Sequence, residues 1–174
     1  NSGNRQERPF FSVMEFNGEL WFGSNEGIIW RYDRKKQNFN QLSTGLTSDI
    51  ISIQEISSEK IIIVSNLSGF VIYNTHNGSM EMYNELTLPA MLSGRIFACY
   101  IDQAKNIWID TDSLGVSKFN PYSHEYTHFT PYIESTERNV FPPNFFIFED
   151  KEGRLWVHPR GGGFSIYDRL EDKL

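Results

Sequence analysis

Four histidines, His76, His124, His128 and His158, are the first residues to weigh for chemistry, because imidazole can ligate a metal or move a proton near neutral pH. They are scattered over turns and strands, where a structural or solvated role suits them. His124 and His128 stand four apart, but that spacing brings two ligands together on a helix and not on a strand. Two acidic turns, Asp102 to Asn106 and Asp150 to Gly153, look superficially like calcium loops. Neither has the ligand count for calcium, an Asp-box would need Ser or Thr before its Asp, and both read as hairpin turns. Arg160-Gly161-Gly162-Gly163 could cradle an anion through backbone N–H groups. It follows a strand with no helix after it, so the dipole used by phosphate loops is missing and a flexible turn is expected. No serine or cysteine can be tied to a base. The sequence nominates no catalytic residue, no metal site and no cofactor.

Composition narrows the partners. The chain has 174 residues, 39% of them hydrophobic and 15% aromatic, enough for a core and weighted towards strands, since Phe, Tyr and Trp fit pleated surfaces. A net charge of −6 argues against nucleic acid, which needs clustered Lys and Arg. The nearest basic run, Arg34-Lys35-Lys36, falls in a hairpin turn. Cys99, in the apolar run IFACYI, reads as a small buried hydrophobe. No apolar run approaches the roughly 18 residues of a membrane helix, and the opening NSGNRQERPF has no signal-peptide core.

The elements that must position any site come from a tandem pattern. Trp21, Ile62, Trp108 and Trp156 are equivalent anchors. At one fixed distance after each stands an aromatic, Tyr32, Tyr73, Phe119 and Tyr167, followed at once by Asp33, Asn74, Asn120 and Asp168. Glycines align between the two, at Gly69, Gly115 and Gly163, with Gly27 one place early. Self-similarity at a period of roughly 40 to 50 residues marks a repeat architecture. Strands are expected at Phe10 to Met14, Glu19 to Gly23, Ile28 to Tyr32 and Asn38 to Leu42, with Asn17-Gly18 as a strong hairpin signal and Asn77-Gly78 as another. The same plan predicts Ile50 to Ile56, Lys60 to Ser65, Gly69 to Tyr73 and Ser79 to Tyr83, then Ile96 to Ile101, Asn106 to Asp110, Gly115 to Phe119 and Glu125 to Thr130. It ends with Phe145 to Phe148, Arg154 to His158 and Gly163 to Tyr167. Helical periodicity is absent. The expected fold is all-β: a β-propeller segment of about four four-stranded antiparallel blades, the last lacking its final strand. The boundaries are a lead-in over 1–9 and blades over 10–49, 50–94, 95–144 and 145–174.

The matching text, NGELWFGSNEGIIWRYD, KNIWIDTDSLGVSKFN and KEGRLWVHPRGGGFSIYD, with IIIVSNLSGFVIYN as a weaker member, resembles the two-component regulator propeller repeat. The likeness runs over about residues 10 to 168. It departs where the second unit lacks tryptophan, the third reads Ile-Asp-Thr and the fourth Val-His-Pro, so the small residue after the core strand survives only as Gly23. The resemblance implies a periplasmic piece of the sensor region of a Bacteroidetes hybrid two-component regulator, which detects oligosaccharides for polysaccharide utilisation. The histidine kinase part of such a parent is not in this chain. Implied partners are an oligosaccharide and, through an open edge, the rest of the parent propeller or a second copy. A propeller enzyme, lyase or glycosidase, is the alternative, to be recognised by converging carboxylates or a His with a Tyr. A protein-interaction or assembly propeller is a third class.

Extra residues collect between units, at Asn84 to Gly94 and Pro131 to Asn144, on the face that also carries the loops between second and third strands. The candidate binding residues on that face are Asn25, Glu26, Asn66, Asp112, His158 and Arg160. Trp30, outside the anchor position, could stack on a sugar or pack between blades.

Overall fold

A computed structural model describes residues 9–92, 94–111, 115–130, 146–158 and 164–174. The first sheet holds β1 (Phe10–Phe16), β2 (Glu19–Ser24), β3 (Ile28–Asp33) and β4 (Asn38–Ser43). The second holds β5 (Ile50–Glu55), β6 (Lys60–Ser65), β7 (Gly69–Asn74) and β8 (Met80–Tyr83). One helical turn, α1 (Pro89–Leu92), precedes the third sheet of β9 (Ile96–Ile101), β10 (Ile107–Thr111), β11 (Val116–Phe119) and β12 (Tyr126–Phe129). The fourth has three strands, β13 (Phe146–Glu149), β14 (Leu155–His158) and β15 (Ser165–Tyr167). Each strand pairs antiparallel with its neighbour in sequence, the meander of a propeller blade, and the chain is an all-β propeller segment with an incomplete fourth blade. Strand ends differ from the sequence reading by one or two residues: β1 to β4 and β7 run longer, whereas β5, β8 and β12 are shorter.

The turns explain the recurring Asp and Asn. Asp33 Oδ1 accepts the N–H groups of Lys35 and Lys36, and Asn74 Oδ1 those of His76 and Asn77. Asn120 Oδ1 accepts from Tyr122 and Ser123, and Asp168 Oδ1 from Leu170 and Glu171. A short side chain with an oxygen acceptor is what such a turn requires. Each turn then ends in a left-handed residue, Gln37, Gly78, His124 or Asp172. Asn17 and Gly18 both have positive φ, 51° and 79°, and close a two-residue hairpin. Asn77-Gly78 differs from the expected tight hairpin, because only Gly78 is left-handed and the turn is held by Asn74.

The chain divides into two compact units, Asn1–Tyr83 and Asn84–Leu174. In the first, Trp21, Phe16 and Ile29 of one sheet share a core with Ile53, Ile61, Ile63, Val71 and Tyr73 of the next. In the second, Trp108, Val116 and Phe129 share a core with Leu155, Val157 and Tyr167. Trp21, Ile62 and Trp108 are buried, each worth about 1.5–3 kcal/mol relative to exposure; Trp156 is half-buried. Cys99, expected inside, is half-buried opposite Ile109, and desolvation raises its thiol to about 12. The connection over 84–94, read as a loop, contains α1. Asn84 Oδ1 accepts from Leu86 and Thr87, and buried Leu88 and Leu92 pin the segment down. The second connection, Pro131 to Asn144, lies outside the described residues.

Candidate functional site

In a four-stranded meander the β1–β2 and β3–β4 turns share one end, and the β2–β3 turn lies at the other with the connection to the next sheet. The polar groups at these two ends are used differently.

At the hairpin end they lock anchors in place. Trp108 Nε1 donates to Asp102 Oδ2 at 3.0 Å, and Trp156 Nε1 donates to Asp150 Oδ2 at 2.9 Å. The remaining carboxylate oxygens accept from their own turns, at Asn106 N and Arg154 N. The Trp156 indole, ahead of Arg154, holds the Asp150 carboxyl down at about 2 against the opposing effect of burial. The acidic turns are therefore hairpins that clamp a tryptophan. Lys118 reaches from the third sheet to Tyr167 Oη and Asp172; burial alone would lower its pKa, and these partners raise it instead.

The loop end of the first unit is assembled from three segments. Gly27 N donates to Ser48 O at 3.0 Å, and Thr44 Oγ1 donates to Gly27 O at 2.8 Å. Gly27, with φ of 69°, has no room for a side chain, since a Cβ would lie 1.9 Å from Leu46 O. On the other side, Asn66 N donates to Asp49 O at 3.0 Å and Leu67 N to Ser48 Oγ at 3.2 Å. The connection over 44–49 is thus stitched to Asn25–Gly27 of the first sheet and to Asn66–Ser68 of the second. Beneath it the hydroxyls of Ser48, Ser65 and Ser68 form a cluster, with Ser65 and Ser68 2.8 Å apart and Ser48 and Ser68 3.3 Å apart. Thr47 N donates to Ser68 Oγ at 3.0 Å. Asn66 Oδ1 is buried and has no partner among the described residues.

This geometry joins three of the six residues singled out from the sequence. Asn25 and Glu26 are exposed at the rim, where the Ser24 hydroxyl lies 3.0 Å from Asn25 Oδ1, and Asn66 lies across the connection from them. His158 belongs to the second unit. It sits opposite Phe146 in the sheet register, stacked on that ring at 5.3 Å with the Phe164 edge at 5.0 Å, and its buried Nδ1 has no partner among the described residues. Asp112, Arg160 and the glycine run lie outside the described residues. Trp30 pairs with Phe22 on the outer face of the first sheet, away from the hydroxyl cluster.

Sequence reasoning passed over Ser48, Ser65 and Ser68. Ser65 had a signal, because Ser24, Ser65 and Thr111 are three small buried hydroxyls at one position after their anchors. His128 Nδ1 bonds Ser117 Oγ at 2.9 Å, and His124 serves as a left-handed turn residue, so both act in the scaffold. Among the described residues no group of three His, Cys, Asp or Glu could hold a metal ion.

No family model matches the sequence, and no curated protein matches it. Solved structures do. The extracellular domain assigned to the one component system BT4673 of B. thetaiotaomicron superposes with a TM-score of 0.74 at 14% identity, covering 99% of this chain and 22% of that one. The extracellular domain assigned to the hybrid two component system BT3049 of the same organism gives 0.58 at 16% identity, covering 90% and 26%. The WD40 β-propeller domain of Doa1 gives 0.66 at 10% identity, covering 92% and 51%. The resemblance read from the repeat is thereby met in structure, and at these identities what is shared is the fold. The chain spans about a quarter of the two bacterial chains.

Proposed function

We infer that this chain is a non-catalytic piece of an extracytoplasmic, periplasmic sensor propeller of the hybrid two-component kind, and that the loop end of its first unit contacts an oligosaccharide. The observation that carries the ligand reading is the acceptor Asn66 Oδ1, without a partner among the described residues, at a loop end where Ser48 and Ser68 are half-buried and Ser65 is fully buried. A hydroxyl both donates and accepts, so the half-buried Ser48 and Ser68, bonded to one another and to Ser65, suit the mixed needs of sugar hydroxyls. A buried acceptor left alone costs about 1–3 kcal/mol, which a ligand donor would recover. Asn25 and Glu26 on the rim add further polar groups. The fold shared with extracellular domains assigned to two-component systems supports the sensor half of the reading.

Calorimetric titration of the chain with a panel of oligosaccharides tests it. At least one binds, and Asn66→Ala weakens that binding about tenfold, the equivalent of one hydrogen bond to the ligand. Silence across the panel defeats the oligosaccharide reading. Turnover of any panel member would favour the enzymatic alternative.

A further inference from the structure

The loop end of the first unit carries a charge bias as well as its hydrogen bonds. Three segments meet there, Asn25–Gly27, the connection over 44–49 and Asn66–Ser68, joined by Gly27 N to Ser48 O and by Asn66 N to Asp49 O, both at 3.0 Å. Together they hold two carboxylates, Glu26 and Asp49, and no lysine or arginine. Glu26 is exposed on the rim, and Asp49 is half-buried next to the strand of chain that carries Asn66.

Cations of the same two sheets are committed elsewhere. Arg31 pairs with Glu19 at 2.7 Å, Arg34 with Glu15 at 2.7 Å and Lys36 with Asp33 at 3.3 Å, all at or towards the hairpin end. Lys35 stands in the turn held by Asp33. Lys60 opens β6, roughly 17 Å along the strand from Ser65 at its far end. Glu26 and Asp49 have no ion-pair partner among the described residues.

Asn66 Oδ1 makes a second, independent demand. It is a buried acceptor without a partner among the described residues, and only a donor satisfies it. A hydroxyl or an ammonium brings such a donor, whereas a carboxylate or a sulfate brings acceptors alone. Negative potential around an unmet acceptor favours the group that supplies a donor and a positive charge together. Exposed carboxylates attract weakly, so the preference they set is about tenfold.

We propose that this loop end selects saccharides by charge. It takes an oligosaccharide bearing a free amino group ahead of a neutral one and disfavours uronic or sulfated ones, the ammonium donating to Asn66 Oδ1 in the field of Glu26 and Asp49. The inference rests on the reading of this end as a saccharide site and goes beyond it by naming the sugar class.

Two matched trisaccharide series, one gluco and one galacto, test it by calorimetry on the whole chain at low salt. Each series has an amino, a neutral and a uronic member of one linkage. In at least one series the amino member should bind about tenfold tighter than the neutral member, and the uronic member at least tenfold weaker. Both gaps should shrink in about 1 M salt, where the screening length is about 3 Å. The isosteric double variant Glu26→Gln with Asp49→Asn should keep the wild-type thermal midpoint and bring the amino-to-uronic ratio close to one. Equal binding of the three members, or tighter binding of the uronic one, overturns the charge selection and leaves the saccharide site standing. A gap that salt does not change overturns it whether or not the double variant folds. A preference that survives in a folded double variant overturns it too, since it then comes from the net charge of −6 spread over the chain. Silence in both series defeats the saccharide reading of this end and the inference with it.

Discussion

Trp21 and Trp108 occupy the same place in their sheets, are buried alike and face equivalent aromatics, yet their indole nitrogens meet different fates. Trp108 donates to buried Asp102, whereas Trp21 Nε1 has no partner among the described residues and its ring is covered by the Arg31 guanidinium at 4.5 Å. The residue before Trp21 that corresponds to Asp102 is Glu15, and it is turned outward to Arg34. A two-residue hairpin at Asn17-Gly18 leaves no acidic turn to fold back over the ring, while the longer turn from Asp102 to Asn106 does. The same contrast holds between whole regions. The hairpin end of the second unit uses its carboxylates to hold the scaffold, whereas the loop end of the first ties Ser48, Ser65 and Ser68 to one another and leaves the buried acceptor Asn66 Oδ1 without a partner among the described residues.

The largest effect should come from Asp102→Ala, which strips acceptors from Trp108, Asn106 and Arg169 at once. A loss of about 3 kcal/mol is expected in urea unfolding followed by tryptophan fluorescence. Glu15→Ala, at the matching place, should fall within about 0.5 kcal/mol of wild type because its ion pair is exposed. Equal losses would dissolve the comparison.

Next in size is the pair Trp108→Phe and Trp21→Phe. Both remove a similar ring area, so the first should cost more by about 1.5 kcal/mol, the contribution of one hydrogen bond to a carboxylate. A smaller contrast lies in the turns. Gly78→Ala should destabilise and His124→Gly stabilise, each by about 1 kcal/mol, since both positions are left-handed and only glycine takes that conformation without strain.

The smallest effect concerns acid. Asp150 has a folded pKa of about 2 against an ordinary 3.8, so its contribution is complete above the ordinary value and fades as pH falls towards the folded one. Unfolding midpoints measured between about pH 4 and pH 2 should fall more steeply for wild type than for Asp150→Asn.

How much of this could be read from residue types alone depends on recurrence. Anchors, the aromatic partners and the following Asp or Asn repeat at fixed distances, so the blades and the places of their turns are legible in the residue types. The reason for the Asp and Asn is not, because it lies in hydrogen bonds to backbone two and three residues on. Asp102 and Asp150 read as ordinary hairpin turns, their clamp on an indole being a matter of side-chain reach. The helical turn at Pro89–Leu92 is too short to show a period. At the candidate site, Asn25, Glu26 and Asn66 followed from strand order. Ser48 did not, because it stands in a connection outside the repeat and gains its place only when two neighbouring sheets meet.

The proposed oligosaccharide contact at the loop end of the first unit is tested most directly by nuclear magnetic resonance. Amide shifts of the isotope-labelled protein, followed while an oligosaccharide that binds is titrated in, should move at Gly27, Thr47, Asn66, Leu67 and Ser68. Shifts confined to residues 84–174, with that group unmoved, would contradict it.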